Sequence, residues 1–215
     1  MTVVDIWWAD VEDARAEFVR NLDAIERERL AGYLRDVDKA RFLLGATIVR
    51  QVLARRFSLP AAKIALDRTC LDCGKPHGKV RVRGHGAVEL SVTHSGDLVG
   101  VAFADRPVGL DVEKVDPEME VDGVARLTLS TDEVREVERL SGIEKVRAFT
   151  EYWTRKEAVL KATGEGLRGD LKAAVPTGIQ VCGLDVGAEH RAALAVVSAE
   201  PPAVNLRDAG ELLRS

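Results

Sequence analysis

The 215 residues predict an α+β protein of two lobes, 1–106 and 107–215, each a small and mainly antiparallel sheet packed with helices. Three observations carry this expectation. Segments of helical periodicity are followed by hairpin-connected strand patterns, and that order occurs twice along the chain. Arg106-Pro107 punctuates the chain near its middle. A chain of this length buries a sizeable core as one unit or as two small lobes. No residue-level repeat relates the halves, so the duplication rests on element order.

Val3 to Trp8 is β-branched and aromatic and reads as the first strand. From Val11 to about Leu34 the apolar stripe Phe18, Leu22, Ile25 and Leu30 predicts helix. Val37 to Phe57 predicts a second, with Leu44, Ile48 and Val52 repeating every four residues until Pro60 stops it. Ile64-Ala65-Leu66 reads as a short strand, followed by a Cys/Gly/Pro/His loop from Thr69 to Gly78. Val88 to Thr93 and Leu98 to Ala104 are strands joined by a turn at Ser95-Gly96-Asp97. Val108 to Val115 is a strand with Val108, Leu110 and Val112 toward a core. An acidic loop, Asp116 to Glu120, leads into Val124 to Leu129. Thr131-Asp132-Glu133-Val134 then opens a helix with Thr131 or Ser130 as N-cap. The long helix from Ile143 to Ala162 stops at Thr163-Gly164. Gly178 to Val186 and Arg191 to Ser198 are closing strands, and Leu206 to Leu213 reads as a short last helix.

Apolar residues at 46% and charged residues at 31% describe an ordinary soluble globular chain. A net charge of −4 argues against nucleic acid as the main partner, because phosphate backbones select basic surfaces. Arg and Lys nevertheless crowd the segment from Arg15 to Arg56, where they can serve one anionic ligand or an acidic protein. No apolar run reaches the length of a membrane span. Met1 to Trp8 lacks the basic start and small-residue cleavage site of a signal peptide. Cys70, Cys73 and Cys182, an odd count, fit a reducing compartment better than a disulfide framework. The expectation is a cytoplasmic, soluble protein with no membrane partner.

Two patterns carry chemistry. Asp111 and Glu113 are two apart in the alternating run Val108 to Glu113, so on a strand both carboxylates point the same way. Gly109 beside them leaves room for a ligand's close approach. Some forty residues later, Trp153, Lys156, Glu157 and Lys161 stand at i, i+3, i+4 and i+8 of a helix, on one face. Hard oxygen ligands set close together suit Mg²⁺, which completes its shell with water and substrate phosphate. Lys156 and Lys161 would hold phosphate oxygens, Glu157 would join the metal or take a proton, and Trp153 would exclude water. Each pattern also has a plain reading: an exposed acidic strand face, and an ordinary helix ion pair between Glu157 and Lys161 over a core tryptophan. His94, between Thr93 and Ser95 at a strand end, offers donors to an anion or is simply solvated. Glu133, in a first helical turn, suits the helix dipole. Cys70-x-x-Cys73 with His77 gives three soft ligands where structural zinc wants four, His85 being the nearest addition; the alternative is a turn without metal. Cys182 reads as core, and Arg41 and Lys79 as surface cations when taken singly. No P-loop, dinucleotide glycine motif or nucleophile elbow is present, and no internal Ser, Cys or Thr nucleophile stands out.

Taken in order along the chain, these motifs resemble the surfactin-type 4′-phosphopantetheinyl transferases. Arg41-Phe42-Leu43-Leu44-Gly45 is similar to that family's Arg-x-Leu-Leu-Gly helix, and Ser91 to Gly96 to its Ser-His-Ser-Gly turn. Val108 to Glu113 looks like its Gly-Ile-Asp-Ile-Glu strand. Leu129 to Val134 resembles its Phe-Ser-x-x-Glu segment, with Glu133 at the acidic position. Trp153 to Lys161 is similar to its Trp-x-x-Lys-Glu-x-x-x-Lys signature. Gly78-Lys79-Val80 departs from the family's frequent Gly-Lys-Pro, and Thr93 replaces a serine while keeping the hydroxyl.

The resemblance implies transfer of the phosphopantetheine arm of coenzyme A to a serine of an apo acyl or peptidyl carrier protein, with release of 3′,5′-ADP. It also implies a pseudo-twofold monomer with coenzyme A, the substrate, between the lobes. Mg²⁺ (or Mn²⁺) is implied on Asp111, Glu113 and Glu157, with Lys156 and Lys161 near the phosphates. Arg41, Lys79, Thr93 and His94 are implied around the nucleotide phosphates. The candidate acceptors of the serine proton are Glu157, or a water held by Glu133 or Glu157. For docking an acidic carrier, the Arg-rich early helices and the loop with Met119, Val121 and Val124 are the candidate rim. The rival readings are a Mg²⁺-dependent hydrolase of coenzyme A or a nucleotide diphosphate, a noncatalytic coenzyme A or carrier-binding module, and a zinc-stabilised adaptor.

Overall fold

Val3–Asp10 (β1) alternates in the manner of a strand buried on both sides: Val4 and Ile6 face one core, Trp7 and Ala9 another. The computed structural model describes residues 1–70, 73–75, 78–84, 88–166 and 169–214. The helical stripe expected from Val11 to Leu34 is broken into two 3₁₀ segments, Val11–Asp13 and Ala16–Asn21, and helix α1, Ala24–Ala31. Aspartates cap the first and last of these segments. Asp10 and Asp23 accept the amides of Glu12 and Glu26, and each starts a new segment.

Helix α2, Asp36–Phe57, is the long helix the periodicity predicts, and it ends at Ser58 two residues before Pro60. It packs on the sheet through Leu44, Ile48 and Leu53, all fully buried. After two short strands, β2 (Leu66–Asp67) and β3 (Arg81–Val82), comes the hairpin of β4 (Glu89–Ser95) and β5 (Leu98–Ala104). β5 pairs antiparallel with both β4 and β1.

The chain then enters a second sheet with β6, Val108–Lys114. Helices α3 (Val121–Thr128), α4 (Thr131–Glu138) and α5 (Gly142–Thr163) follow. Ser130 is the N-cap of α4, and Glu133 reaches back to its amide to complete a capping box. β7 (Ile179–Leu184) and β8 (His190–Val197) finish an antiparallel sheet in the order β6-β8-β7. Apart from the two-stranded ribbon of β2 and β3, each sheet therefore carries one helix of 22 residues, α2 or α5. The two sheets share a core in which Val4, Ile6, Ala102 and Ala104 meet Val108, Leu110, Leu194 and Val196.

The last strand, β9 (Ala203–Asp208), does not stay with the second sheet. It lies parallel to β1, so the first sheet reads β4-β5-β1-β9, and helix α6 (Gly210–Leu213) packs under α2. The helix expected from Leu206 to Leu213 is thus half strand. Its register is held by Asp5, which accepts hydrogen bonds from Asn205 at 3.0 Å and Arg207 at 2.9 Å. No helix among the described residues is long and apolar enough to cross a membrane.

Small residues bring α5 onto its sheet: Ala158 and Ala162 rest against Ala193 and Ala195. Gly109 marks the closest approach. A Cβ there would stand 1.9 Å from the carbonyl oxygen of Ala158, so the glycine makes room for the helix backbone and not for a ligand. Gly109→Ala is expected to lower stability by about 3 kcal/mol, since overpacking against backbone cannot relax by a rotamer change. Urea unfolding of the purified variant measures it, and a loss below about 1 kcal/mol would contradict this packing.

Candidate active site

β6 presents two faces with different fates. Val108, Leu110 and Val112 are fully buried, as their alternation predicts, while Gly109, Asp111 and Glu113 look toward α5 and β4. Asp111 is 4% exposed, and its Oδ1 accepts a 2.6 Å hydrogen bond from Lys161. Its other oxygen, Oδ2, is buried with no hydrogen-bond partner. Burial pushes the Asp111 carboxyl up to about 6; Lys161 opposes the shift, and the like charges of Glu113 and Glu157 add to it. Glu157 is raised in the same direction, first by burial and then by Glu113, again against Lys161. The Lys161 ammonium also donates to the Leu110 carbonyl at 3.1 Å and to Thr93 Oγ1 at 3.3 Å.

These three carboxylates and one ammonium leave two negative charges uncompensated in a partly buried site. An unpartnered buried carboxylate oxygen is costly, and a bound cation would satisfy it. The donor set is hard oxygen, which suits Mg²⁺ or Mn²⁺. The residues therefore fit a divalent cation. Among the described residues, however, no three acidic, imidazole or thiol groups already converge as a ligand shell. Lys161 occupies one oxygen of Asp111.

Strand β4 borders the acids from the other sheet. Thr93 Oγ1 lies 3.3 Å from Asp111 Oδ1, and Ser95 Oγ donates to Glu113 Oε2 at 2.6 Å. His94 is exposed, yet the protein around its ring, with Arg41 beside it, holds its imidazole below the ordinary histidine value. Arg41 donates to the Gly96 carbonyl through Nε at 2.8 Å and to Asp38 at 3.0 Å, so α2 clamps the β4–β5 turn. Gly96 is required there. Its φ is +58°, and a Cβ would come within 2.6 Å of Lys114 and 2.9 Å of His190. Sequence reasoning missed His190, whose Nε2 is 3.2 Å from Asp97 Oδ1 across the two sheets. It sits in a strand pattern with nothing nearby in the sequence to mark it.

The predicted helix face is divided. Glu157 and Lys161 look toward β6, but Lys156, one step of about 100° around the helix, forms a 2.8 Å ion pair with Glu133 of α4. Burial alone would raise Glu133; the hydrogen bonds from Lys156 and from the Ser130 amide outweigh it and hold the carboxyl below the usual range. A cleft of about 790 Å³ opens on this side of α5, bordered by Glu133, Tyr152, Lys156, Val159 and Leu171. Trp153 stacks on Phe149 at 6.2 Å and packs, partly buried, against the core formed by α3, α4 and α5. Lys79 reaches across the sheets to the carbonyls of Val108 at 3.3 Å and Ala162 at 3.4 Å, with Glu89 also at 3.4 Å. Burial lowers its ammonium pKa and Glu89 opposes the shift. Val121 is buried in the α3–α5 core and cannot belong to an apolar docking rim, whereas Leu127 on the same helix is 75% exposed. Of the metal-like loop, Cys70 and Cys73 lie in a turn closed by the Cys70 and Gly74 amides. His77 and His85 fall outside the described residues.

A two-sheet scaffold that lays the acidic strand of one half against the hydroxyl strand of the other, under a lysine-bearing helix, has a match at each half. Residues 7–106 match the N-terminal domain of 4′-phosphopantetheinyl transferases. Residues 107–198 match the 4′-phosphopantetheinyl transferase superfamily. The chain belongs to the surfactin-type 4′-phosphopantetheinyl transferase family. It is similar to a putative 4′-phosphopantetheinyl transferase of Synechocystis, 33% identical over 72% of this chain and 62% of that protein. It is also similar to 4′-phosphopantetheinyl transferase psf-1 of Bacillus pumilus, 30% identical over 61% of this chain and 53% of the relative. With 4′-phosphopantetheinyl transferase Sfp of Bacillus subtilis it shares 26% identity over 73% of this chain and 66% of the relative. The matched region thus spans between about half and two thirds of the length of these curated relatives.

Proposed function

We propose that this protein moves the 4′-phosphopantetheine arm of coenzyme A to a serine hydroxyl of an apo acyl or peptidyl carrier protein, releasing 3′,5′-ADP, with Mg²⁺ or Mn²⁺ as the cation. The observation that carries the reading is buried Asp111, one oxygen paired with Lys161 and the other without a partner, with Glu113 and Glu157 adjoining. Membership of the family and the relatives' names support the class of reaction.

Asp111, Glu113 and Glu157 would hold the cation. When bound, it would neutralise charge on the pyrophosphate and on the departing phosphate. In the transfer, the serine oxygen forms a bond to the phosphorus that carries pantetheine. The bond from that phosphorus to the bridging oxygen breaks, and 3′,5′-ADP leaves with the electron pair. The serine proton goes to Glu157, directly or through a water. Glu133 is lowered and committed to Lys156 and Ser130, which leaves Glu157, or a water it holds, as the acceptor. Lys161 adds positive field at the phosphates, in a site partly shielded from water where it acts strongly. Glu133 is thereby a positioning residue that sets Lys156 at the mouth of the neighbouring cleft. Arg41 and His94 at the β4–β5 turn would meet the nucleotide's phosphates. Lys79, held by two carbonyls, would first act as a brace between the sheets.

The test is intact-mass analysis of an apo carrier incubated with this protein, coenzyme A and Mg²⁺. The expected result is a gain of one phosphopantetheine group, abolished by a chelator and restored by excess Mg²⁺. An unchanged carrier, or release of 3′,5′-ADP at the same rate without any carrier, would overturn the proposal.

A further inference from the structure

β4 and β6 belong to different sheets, yet they run side by side in parallel, joined by side chains. Ser91, Thr93 and Ser95 occupy alternate positions of β4, and their hydroxyls accept the amides of Leu110, Val112 and Lys114 at 2.9, 3.1 and 3.1 Å. A hydroxyl has one proton to give and two lone pairs. With a lone pair used by the amide, the proton remains, and an ionised carboxylate can only accept it. Ser95 gives it to Glu113 Oε2 at 2.6 Å. Thr93 stands 3.3 Å from Asp111 Oδ1. Opposite Ser91 the corresponding residue is Gly109, which has no side chain to receive a proton. The three rungs are alike in backbone chemistry and differ in whether a carboxylate is attached.

We infer that Ser95 is a positioning residue: anchored by the Lys114 amide, its hydroxyl fixes the Glu113 carboxylate, so that the first lobe sets the ligand geometry of the acids on the second. The inference rests on the cation site proposed above. Without Ser95 the Glu113 side chain regains its rotamers, and the entropy of fixing it falls on cation binding. Ser91 makes the same cross-sheet bond with no acid attached, so it joins the sheets without positioning a carboxylate.

Two measurements that need no turnover test this. Amide hydrogen exchange followed by NMR reads the rungs, and electron paramagnetic resonance titration with Mn²⁺ alone reads the acids. Ser95→Ala is expected to speed exchange at Lys114 and weaken Mn²⁺ binding, each by about three- to tenfold. Ser95→Thr, which keeps the hydroxyl, is expected to restore both. Ser91→Ala is expected to speed exchange at Leu110 while leaving Mn²⁺ affinity within about twofold of the parent. Equal loss of Mn²⁺ affinity in Ser91→Ala and Ser95→Ala would reduce the role to packing and overturn the inference. So would unchanged Mn²⁺ affinity in Ser95→Ala, unchanged Lys114 exchange, or a parent protein that binds no Mn²⁺. A parent that shows the expected shifts but modifies no carrier would remove the reaction and leave the positioning role standing.

Discussion

Asp111→Ala and Glu157→Ala are each expected to lower kcat/KM for carrier modification by about a hundred- to a thousandfold, and Lys161→Ala by a similar factor. The reason is the arrangement around Asp111, where one ammonium and three carboxylates sit partly out of water. Removing either acid takes away a ligand for the cation, whose charge would matter most as the phosphate departs. Stability is expected to move little or upward in Asp111→Ala, because burying that carboxylate is unfavourable and Lys161 retains 31% side-chain exposure to water. Steady-state kinetics paired with thermal melts separates the two effects. Near-parent turnover in Glu157→Ala would remove the proton acceptor and a cation ligand at once, and with them the mechanism.

The largest loss of stability is expected far from the site. Arg50 is fully buried; Asp23 and Glu26 accept its hydrogen bonds, as do the carbonyls of Ala61 at 2.9 Å and Ile64 at 3.1 Å. Arg68 adds a 3.0 Å bond to Glu26, itself 2% exposed. Glu26→Ala would leave two guanidinium groups without their shared carboxylate, one of them with no water in reach. A loss of about 3–5 kcal/mol follows for an uncompensated buried charge. Urea denaturation measures it, and a loss under about 1 kcal/mol would mean that Asp23 alone satisfies Arg50.

That cluster shows how far a linear reading reaches. Arg50 lies within an apolar helical repeat, and nothing in its neighbours reveals that Glu26 and Arg68 surround it. The helix itself was legible, because its periodicity is local and Pro60 ends it. The same holds for α5 and for the strands around Asp111, where alternation places Val108, Leu110 and Val112 in the core. Val11 to Leu34 misled because an apolar stripe does not reveal that Asp10 and Asp23 divert amides into new turns. Leu206 to Leu213 misled for another reason: β9 exists only beside β1, some two hundred residues earlier in the chain.

Within the candidate site, the spacing of Asp111 with Glu113 and of Glu157 with Lys161 placed their side chains correctly, since a strand repeats every two residues and a helix every 3.6. Lys156 and Trp153 share that helical repeat but answer to other neighbours, Glu133 and Phe149. Gly109 looked like space for a ligand and proves to be space for α5. Periodicity and charge, which are properties of adjacent residues, are therefore what the sequence by itself determined: the element types, the acids and the lysines. Which of them meet, that one oxygen of Asp111 is left without a partner, and that hydroxyls of β4 join the sheets were decided only by tertiary structure. Burial, desolvation and hydrogen-bond satisfaction depend on what packs against a group in space, and no local pattern encodes that.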